Sequence, residues 1–350
     1  VNHHDTKTRN LLVFAALGVS VLGCIFAPTV TSQSAAGQDE VVRVDTDLTN
    51  LFFTAVDKRK QFVTTLGEAD LQVLEDGIPQ EILMFQKETN RPVSIALLID
   101  VSSSEARTLP QEKAAARLFI EAIIKSKEDE VAIIPFAELA FLEQPFTDNV
   151  LQLYRVLSQL EIALPNYLGS GPPIRGVASR IGAAPPPGTT ALWESVAVTA
   201  EIMAARVGNR RRAIILLSDG YDTTSRVQRS MATEQALTSE TIIYGIGIGD
   251  EREEGVHRGA IRNLAEATGG RAFFPKNELD LKGAFTEIER EMRSQYLVAY
   301  SSTNKNRDGS FRQMKIEVRN PALRKEIKVR HRPGYFARRL GPSSQSLPVR

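Results

Sequence analysis

The spacing of apolar residues changes character three times along the chain. Residues 11–27 (LLVFAALGVSVLGCIFA) are almost entirely apolar and carry no charge over 17 positions. From Val41 to about Thr89 apolar and polar positions alternate over short stretches: LTNLFFTAVD, FVTT and LQVLEDGIPQEILMF. This period of two predicts strands, with Asp76-Gly77 as a tight turn between two of them. From Pro92 the pattern switches to continuous apolar runs of strand length, VSIALLID, EVAIIPFAE, RRAIILLSD, TIIYGIGIG, RAFF and QYLVAYS. Between them lie segments with apolar residues at helical spacing, such as QEKAAARLFIEAIIKSK, TALWESVAVTAEIMAARV and LDLKGAFTEIEREMR. Strands without polar alternation, separated by amphipathic helices, predict a mostly parallel sheet covered on both faces. The expected fold class is therefore α/β, a doubly wound Rossmann-like domain over 92–301.

Two more β-like runs, FRQMKIEVRN and RKEIKVRHR, precede RPGYFA. The N-terminal β-rich segment, 41–90, is too short to bury a core alone. The C-terminal strands, 302–336, are therefore expected to return to it and complete a small sandwich-like region. The tail 337–350, rich in Ser, Pro and Arg, is expected to be disordered. Residues 165–188 hold six prolines and five glycines. A loop of that length inside a compact domain is either functional or disordered.

Lys7 and Arg9 precede the apolar run 11–27, and small residues at Ser34 and Ala36 follow it. That order describes a secretory signal peptide over 1–38. An uncleaved anchor and lipidation at Cys24 are the alternatives, and all three readings export the rest of the chain to the periplasm, cell envelope or exterior. Contact with a membrane is expected only through this segment.

Composition narrows the chemistry. Lys plus Arg number 43 and Asp plus Glu 42 in 350 residues, a formal charge of +1. A globally basic nucleic-acid binder is thereby excluded. Cys24 is the single cysteine and the four histidines are His3, His4, His257 and His331, so intrachain disulfides, cysteine-based zinc sites and HExxH chemistry are ruled out. Residues 301–350 carry a net charge of +10, read as solvated strand faces or as a surface for anionic material.

In an open parallel sheet, ligands bind beyond the carboxyl ends of the strands. VSIALLID ends in Asp100-Val101-Ser102-Ser103-Ser104, and RRAIILLSD ends in Ser218-Asp219-Gly220. The helix after the Pro/Gly-rich stretch begins at Gly188-Thr189-Thr190. Asp100, Ser102, Ser104, Thr190 and Asp219 together offer two carboxylates and three hydroxyls. Such an all-oxygen set suits Mg2+, with Mn2+ or Ca2+ as competitors. Both aspartates are expected at solvent-facing strand ends.

These residues resemble the von Willebrand factor A (vWA) domain with its metal-ion-dependent adhesion site. The matching motifs are DVSSS (100–104), GTTAL (188–192) and LLSDG (216–220), supported by YGIGIG (244–249) and ATGGRAFF (267–274). The leader, LEDGIPQEI (74–82), SQYLVAYS (294–301) and RPGYFA (332–337) are similar to the exported acidobacterial-type VWFA-related family. The resemblance implies direct metal ligation by Ser102 and Ser104. Thr190 would bind directly or switch with ligand, and Asp100 and Asp219 would act mostly through water. It also implies a protein partner whose Asp or Glu carboxylate completes the coordination. Glu105, Tyr167, Thr189, Tyr221 and Asp222 are candidate partner contacts around the ion. Ser103 and Glu105 depart from the family's usual Gly and Met, and Glu105 adds a carboxylate near the ion.

The expected function is an exported, non-enzymatic protein-binding module of adhesion type. The alternative is a structural envelope or assembly module in which the ion only staples the loops. A metal-dependent phosphohydrolase with a nucleophilic Asp100 ranks lower, because serines stand where a general acid would be needed. A Ser/His/Asp hydrolase lacks a GxSxG elbow. GIGIGD fails the dinucleotide spacing, since Arg252 stands where the third glycine belongs.

Overall fold

The computed structural model describes residues 48–88, 91–163, 170–174, 188–206, 208, 210–249 and 255–339. The expected leader, most of the 165–188 stretch and the tail beyond 339 lie outside the described residues. Four strands come first: β1 (Leu48–Asp57), β2 (Leu71–Glu75), β3 (Ile78–Gln80) and β4 (Ile82–Glu88). The α/β part follows with β5 (Val93–Asp100), α1 (Leu109–Ile123), β6 (Glu130–Phe136), β7 (Gln144–Thr147), α2 (Val150–Gln159) and α3 (Leu192–Ala204). It continues through β8 (Arg211–Ser218), α4 (Arg229–Thr238), β9 (Thr241–Gly247), α5 (Arg258–Ala267), β10 (Ala272–Phe273) and α6 (Glu278–Arg293). Last come β11 (Gln295–Ser301), β12 (Phe311–Val318), α7 (Pro321–Glu326), β13 (Ile327–His331) and β14 (Gly334–Phe336).

The central sheet has the order β10-β9-β8-β5-β6-β7. All its pairings are parallel except β6 with β7. Every residue of β5 is buried, as a strand covered on both faces requires. On one face Ile95, Leu97 and Ile99 pack with Phe119, Leu153, Phe285 and Ile288 of α1, α2 and α6. On the other, Ala96 and Leu98 meet Leu192, Val196, Ala236 and Leu264 of α3, α4 and α5. β5 sits between β6, its successor, and β8, to which the chain returns later. Loops leaving β5 and β8 therefore diverge, which opens a crevice at their carboxyl ends.

The remaining strands form two four-stranded sheets, β13-β1-β11-β4 and β14-β12-β2-β3. Leu51, Phe53, Tyr296 and Val298 of the first share a core with Leu71, Val73, Met314 and Ile316 of the second, which makes a β-sandwich. β12 alternates between exposed and buried positions, as a half-solvated strand should. β13 pairs with β1 and β12 with β2, so C-terminal strands complete the N-terminal core. Asp76 and Gly77, with φ of 50° and 81°, turn the chain between β2 and β3. Two successive left-handed residues are the hairpin geometry that Asp-Gly favours.

Four local readings need correction. QYLVAYS does not join the parallel sheet; β11 lies antiparallel between β1 and β4, so the α/β part ends with α6. An apolar strand buried on both faces reads the same in a sandwich as in a parallel sheet. FVTT makes only an isolated bridge, Val56 with Phe62, and is not a strand. β7 had no apolar signature; its Pro145 is tolerated because an edge strand need not donate every N–H. The start of RKEIKVRHR is helical in α7, where Asn320 caps the helix and Pro321 opens it.

Candidate functional site

Asp100 closes β5 and is fully buried. Its Oδ1 accepts the Ser102 N–H at 3.0 Å, so the carboxylate folds back on the backbone two residues on. Its Oδ2 accepts from Ser218 Oγ at 2.8 Å, and the Gly220 N–H donates to the same hydroxyl at 3.0 Å. Ser218 thus ties the ends of β5 and β8 together. Asp219 repeats the turn, with its Oδ1 accepting the Tyr221 N–H at 3.0 Å. Gly220 has φ of +84°, and a Cβ there would lie 2.8 Å from Ile261 Cγ1 and 3.0 Å from His257 O. Only glycine both adopts that conformation freely and fits under α5. The expectation that both aspartates face solvent is therefore wrong: Asp219 is 6% exposed and Asp100 not at all.

Ser102 and Ser104 place their hydroxyl oxygens 3.0 Å apart. Alternate residues of a tight turn aim to the same side, which is what the D-x-S-x-S spacing requires. Thr190 is buried in the loop ahead of α3. Its N–H donates to Thr223 Oγ1 at 2.7 Å and its carbonyl accepts the Thr223 N–H at 2.9 Å. The Ala191 N–H holds the same loop to Ala137 O at 2.8 Å, beyond β6. Thr190 is therefore fastened to the segment that follows Asp219.

The carboxylates of Asp100, Glu105 and Asp219 each bring an oxygen to within 4.8 Å of the others, and all three residues are buried. Glu112, on the core-facing side of α1, is also fully buried. Among the described residues no lysine or arginine is paired with any of the four. Burial, and then repulsion from Asp219, push the Asp100 carboxyl up to about 7, against the pull of its bonds to Ser102 and Ser218. Burial, and then repulsion from Glu112 and Asp100, push Glu105 up to about 11. Burial raises Glu112 to about 8, with the proximity of Thr108 and Glu105 offsetting part of the effect.

Uncompensated carboxylates gathered in a low-dielectric pocket are costly unless a cation or protons neutralise them. A point equidistant from three oxygens 4.8 Å apart lies about 2.8 Å from each, and closer oxygens bring it to Ca2+ or Mg2+ bond lengths of ~2.0–2.6 Å. The donor set is all oxygen, which suits such hard cations. Asp100 and Asp219 belong to that cluster, and Ser102 and Ser104 lie on the turn that carries Glu105.

The partner-contact candidates fare differently. Glu105 is fully buried and its Oε2 accepts from the Thr108 hydroxyl, so it points inward and cannot meet a partner; that expectation is corrected. Asp222 is committed elsewhere: its Oδ1 accepts from the Trp193 N–H at 3.2 Å and from Ser225 Oγ, at the first turn of α3. Thr189 is partly exposed, and so is Tyr221, whose ring stacks on His257 at 5.4 Å. Tyr167 lies outside the described residues. Trp193 packs against the core on the α3 side of the sheet. Sequence reasoning missed Ser218 and Glu112. Ser218 was visible as the serine of LLSDG. Glu112 was visible as a lone carboxylate in the Leu109, Ala116, Phe119 stripe of α1.

No protein-family model and no curated protein matches the chain. Among solved structures it is similar to the conserved hypothetical protein BatB from Bacteroides thetaiotaomicron, at 18% identity, covering 58% of this chain and 100% of that one, with a TM-score of 0.41. It is also similar to a von Willebrand factor type A protein from Catenulispora acidiphila, at 13% identity, 84% and 74% coverage and a TM-score of 0.43. A third is proximal thread matrix protein 1 from the mussel byssus with a zinc-occupied MIDAS motif, at 14% identity, 63% and 50% coverage and a TM-score of 0.45.

Proposed function

We propose that this chain is an exported, non-enzymatic binding module of vWA type. It would bind Mg2+ through Asp100, Ser102, Ser104, Thr190 and Asp219 and meet an acidic side chain of a protein partner. The observation that carries this reading is the meeting of Asp100, Glu105 and Asp219 beyond the carboxyl ends of β5 and β8, with no lysine or arginine paired with them among the described residues. A bound divalent ion would supply an electrophilic centre for carboxylate oxygens. The chain's own residues set its place. Ser218 and the two aspartate turns fix the strand ends, and Gly220 lets the second turn approach α5. Export is inferred from the apolar segment 11–27 and its flanks.

The test is calorimetric. The wild-type chain should bind Mg2+, and Asp219→Ala should lose that binding while keeping its far-UV circular dichroism. Undiminished affinity in the variant would refute the site. Partner capture from envelope extracts that is lost in EDTA and restored by Mg2+ supports adhesion. Chelation that lowers thermal stability without any Mg2+-dependent partner supports the second reading, an ion that staples loops. The fastening of Thr190 to Thr223 keeps that reading in play.

A further inference from the structure

Glu105 and Glu112 have no place in the ligand set proposed above, yet both are 0% exposed. Glu105 uses Oε2 for the Thr108 hydroxyl and leaves Oε1 without a hydrogen bond. Neither Glu112 carboxylate oxygen has a hydrogen bond of good geometry, although Thr108 and Glu105 lie close to it. Three orphaned acid oxygens in the interior are unusual, because an unpaired buried polar atom carries its full desolvation cost. Their position gives a reason. The Glu105 carboxylate stands with those of Asp100 and Asp219 inside the 4.8 Å cluster, on the turn that carries Ser102 and Ser104. Glu112 follows on the core-facing side of α1 and adds negative potential beside Glu105.

We infer that Glu105 is itself a ligand of the cation, a carboxylate supplied by the chain from the buried side of the site. This rests on the reading of the crevice as a cation site and changes what that site does. Three carboxylates facing a divalent ion leave it with little positive charge to offer. The site then holds its ion tightly and attracts an incoming acidic side chain only weakly. Thr108 favours that arrangement, since its hydroxyl occupies one Glu105 oxygen and leaves the other for the ion.

Mg2+ titration calorimetry on the wild type, Glu105→Gln and Asp219→Ala separates the outcomes. The expected result is a loss of Mg2+ affinity of tenfold or more in Glu105→Gln. The same variant should keep or raise its melting temperature in EDTA and lose most of the gain that Mg2+ gives the wild type. A merely structural glutamate would leave that gain intact. Unchanged affinity in Glu105→Gln beside lost affinity in Asp219→Ala overturns the inference and spares the site. A wild-type chain that binds no Mg2+ overturns both. Should Glu105→Gln fail to fold, a crystal structure of the wild type with Mg2+ decides. A Glu105 oxygen about 2.0–2.1 Å from the ion supports the inference, and an ion bonded without Glu105 overturns it.

Discussion

Consider the metal-free chain as pH rises from about 4 to about 8. Asp100 is held near 7 and Glu112 near 8 in the folded state, against ordinary values of 3.8 and 4.5. Between those limits the native chain keeps protons that the unfolded chain has released. Stability is then complete below the unfolded values and is lost as pH climbs through the folded ones. Asp100 alone moves by about three pH units, which at ~1.4 kcal/mol per unit is about 4 kcal/mol. Glu105 and Glu112 act in the same direction. A domain stability of ~5–15 kcal/mol leaves little margin for such a loss. The melting temperature in EDTA should therefore fall by on the order of 10 °C or more between about pH 5 and pH 8. Mg2+ competes with those protons, so its stabilising effect should be small at about pH 5 and large at about pH 8. Thermal unfolding followed by circular dichroism at both pH values, with EDTA or excess Mg2+, measures all four corners. A melting temperature in EDTA that is flat or rises with pH refutes the argument, as does an Mg2+ gain that ignores pH.

Three further outcomes follow from the packing. Gly220→Ala should destabilise the chain by about 1–3 kcal/mol in urea unfolding and weaken Mg2+ binding, because φ of +84° and contact with Ile261 force the Asp219 turn to shift. Glu75→Ala should cost about 3–5 kcal/mol by the same assay, since it strands the buried Arg312 guanidinium and removes the acceptor of Tyr300 and Ser302; a cost under ~1 kcal/mol would contradict this. Deleting 311–350 should open residues 48–88 to limited proteolysis, because β1 loses β13 and β2 loses β12; unchanged resistance would contradict the sandwich pairing.

Much of the α/β architecture was legible in the sequence because its strands are buried on both faces and its helices on one. The period of each segment then reports its environment directly. β11 was misplaced for the same reason, since a run such as QYLVAYS says that it is covered and not by which layer. β7 and α7 were missed because edge pairing and capping by Asn320 and Pro321 leave little hydrophobic trace. At the site, the D-x-S-x-S spacing and the serine and aspartate at the end of β8 carried their own geometry, and the fold brings Asp100 and Asp219 together. Burial was less legible. Whether Glu105 faces solvent or core depends on how the turn at 103–105 enters α1, and a single turn has no periodicity to read.

The α/β domain is spliced into the sandwich rather than appended to it. The chain enters it after β4 and leaves it at Ser294 before β11, and Glu88 and Gln295 are paired across those strands. Tension drawn from the α/β domain thus arrives at the same end of two neighbouring strands, which share the load. β11 is braced on its far side by β1, whereas β4 is the outermost strand of its sheet. A tethered chain under load should therefore shed β4 first, while the halves of the sandwich contributed by the two ends of the polypeptide stay clasped.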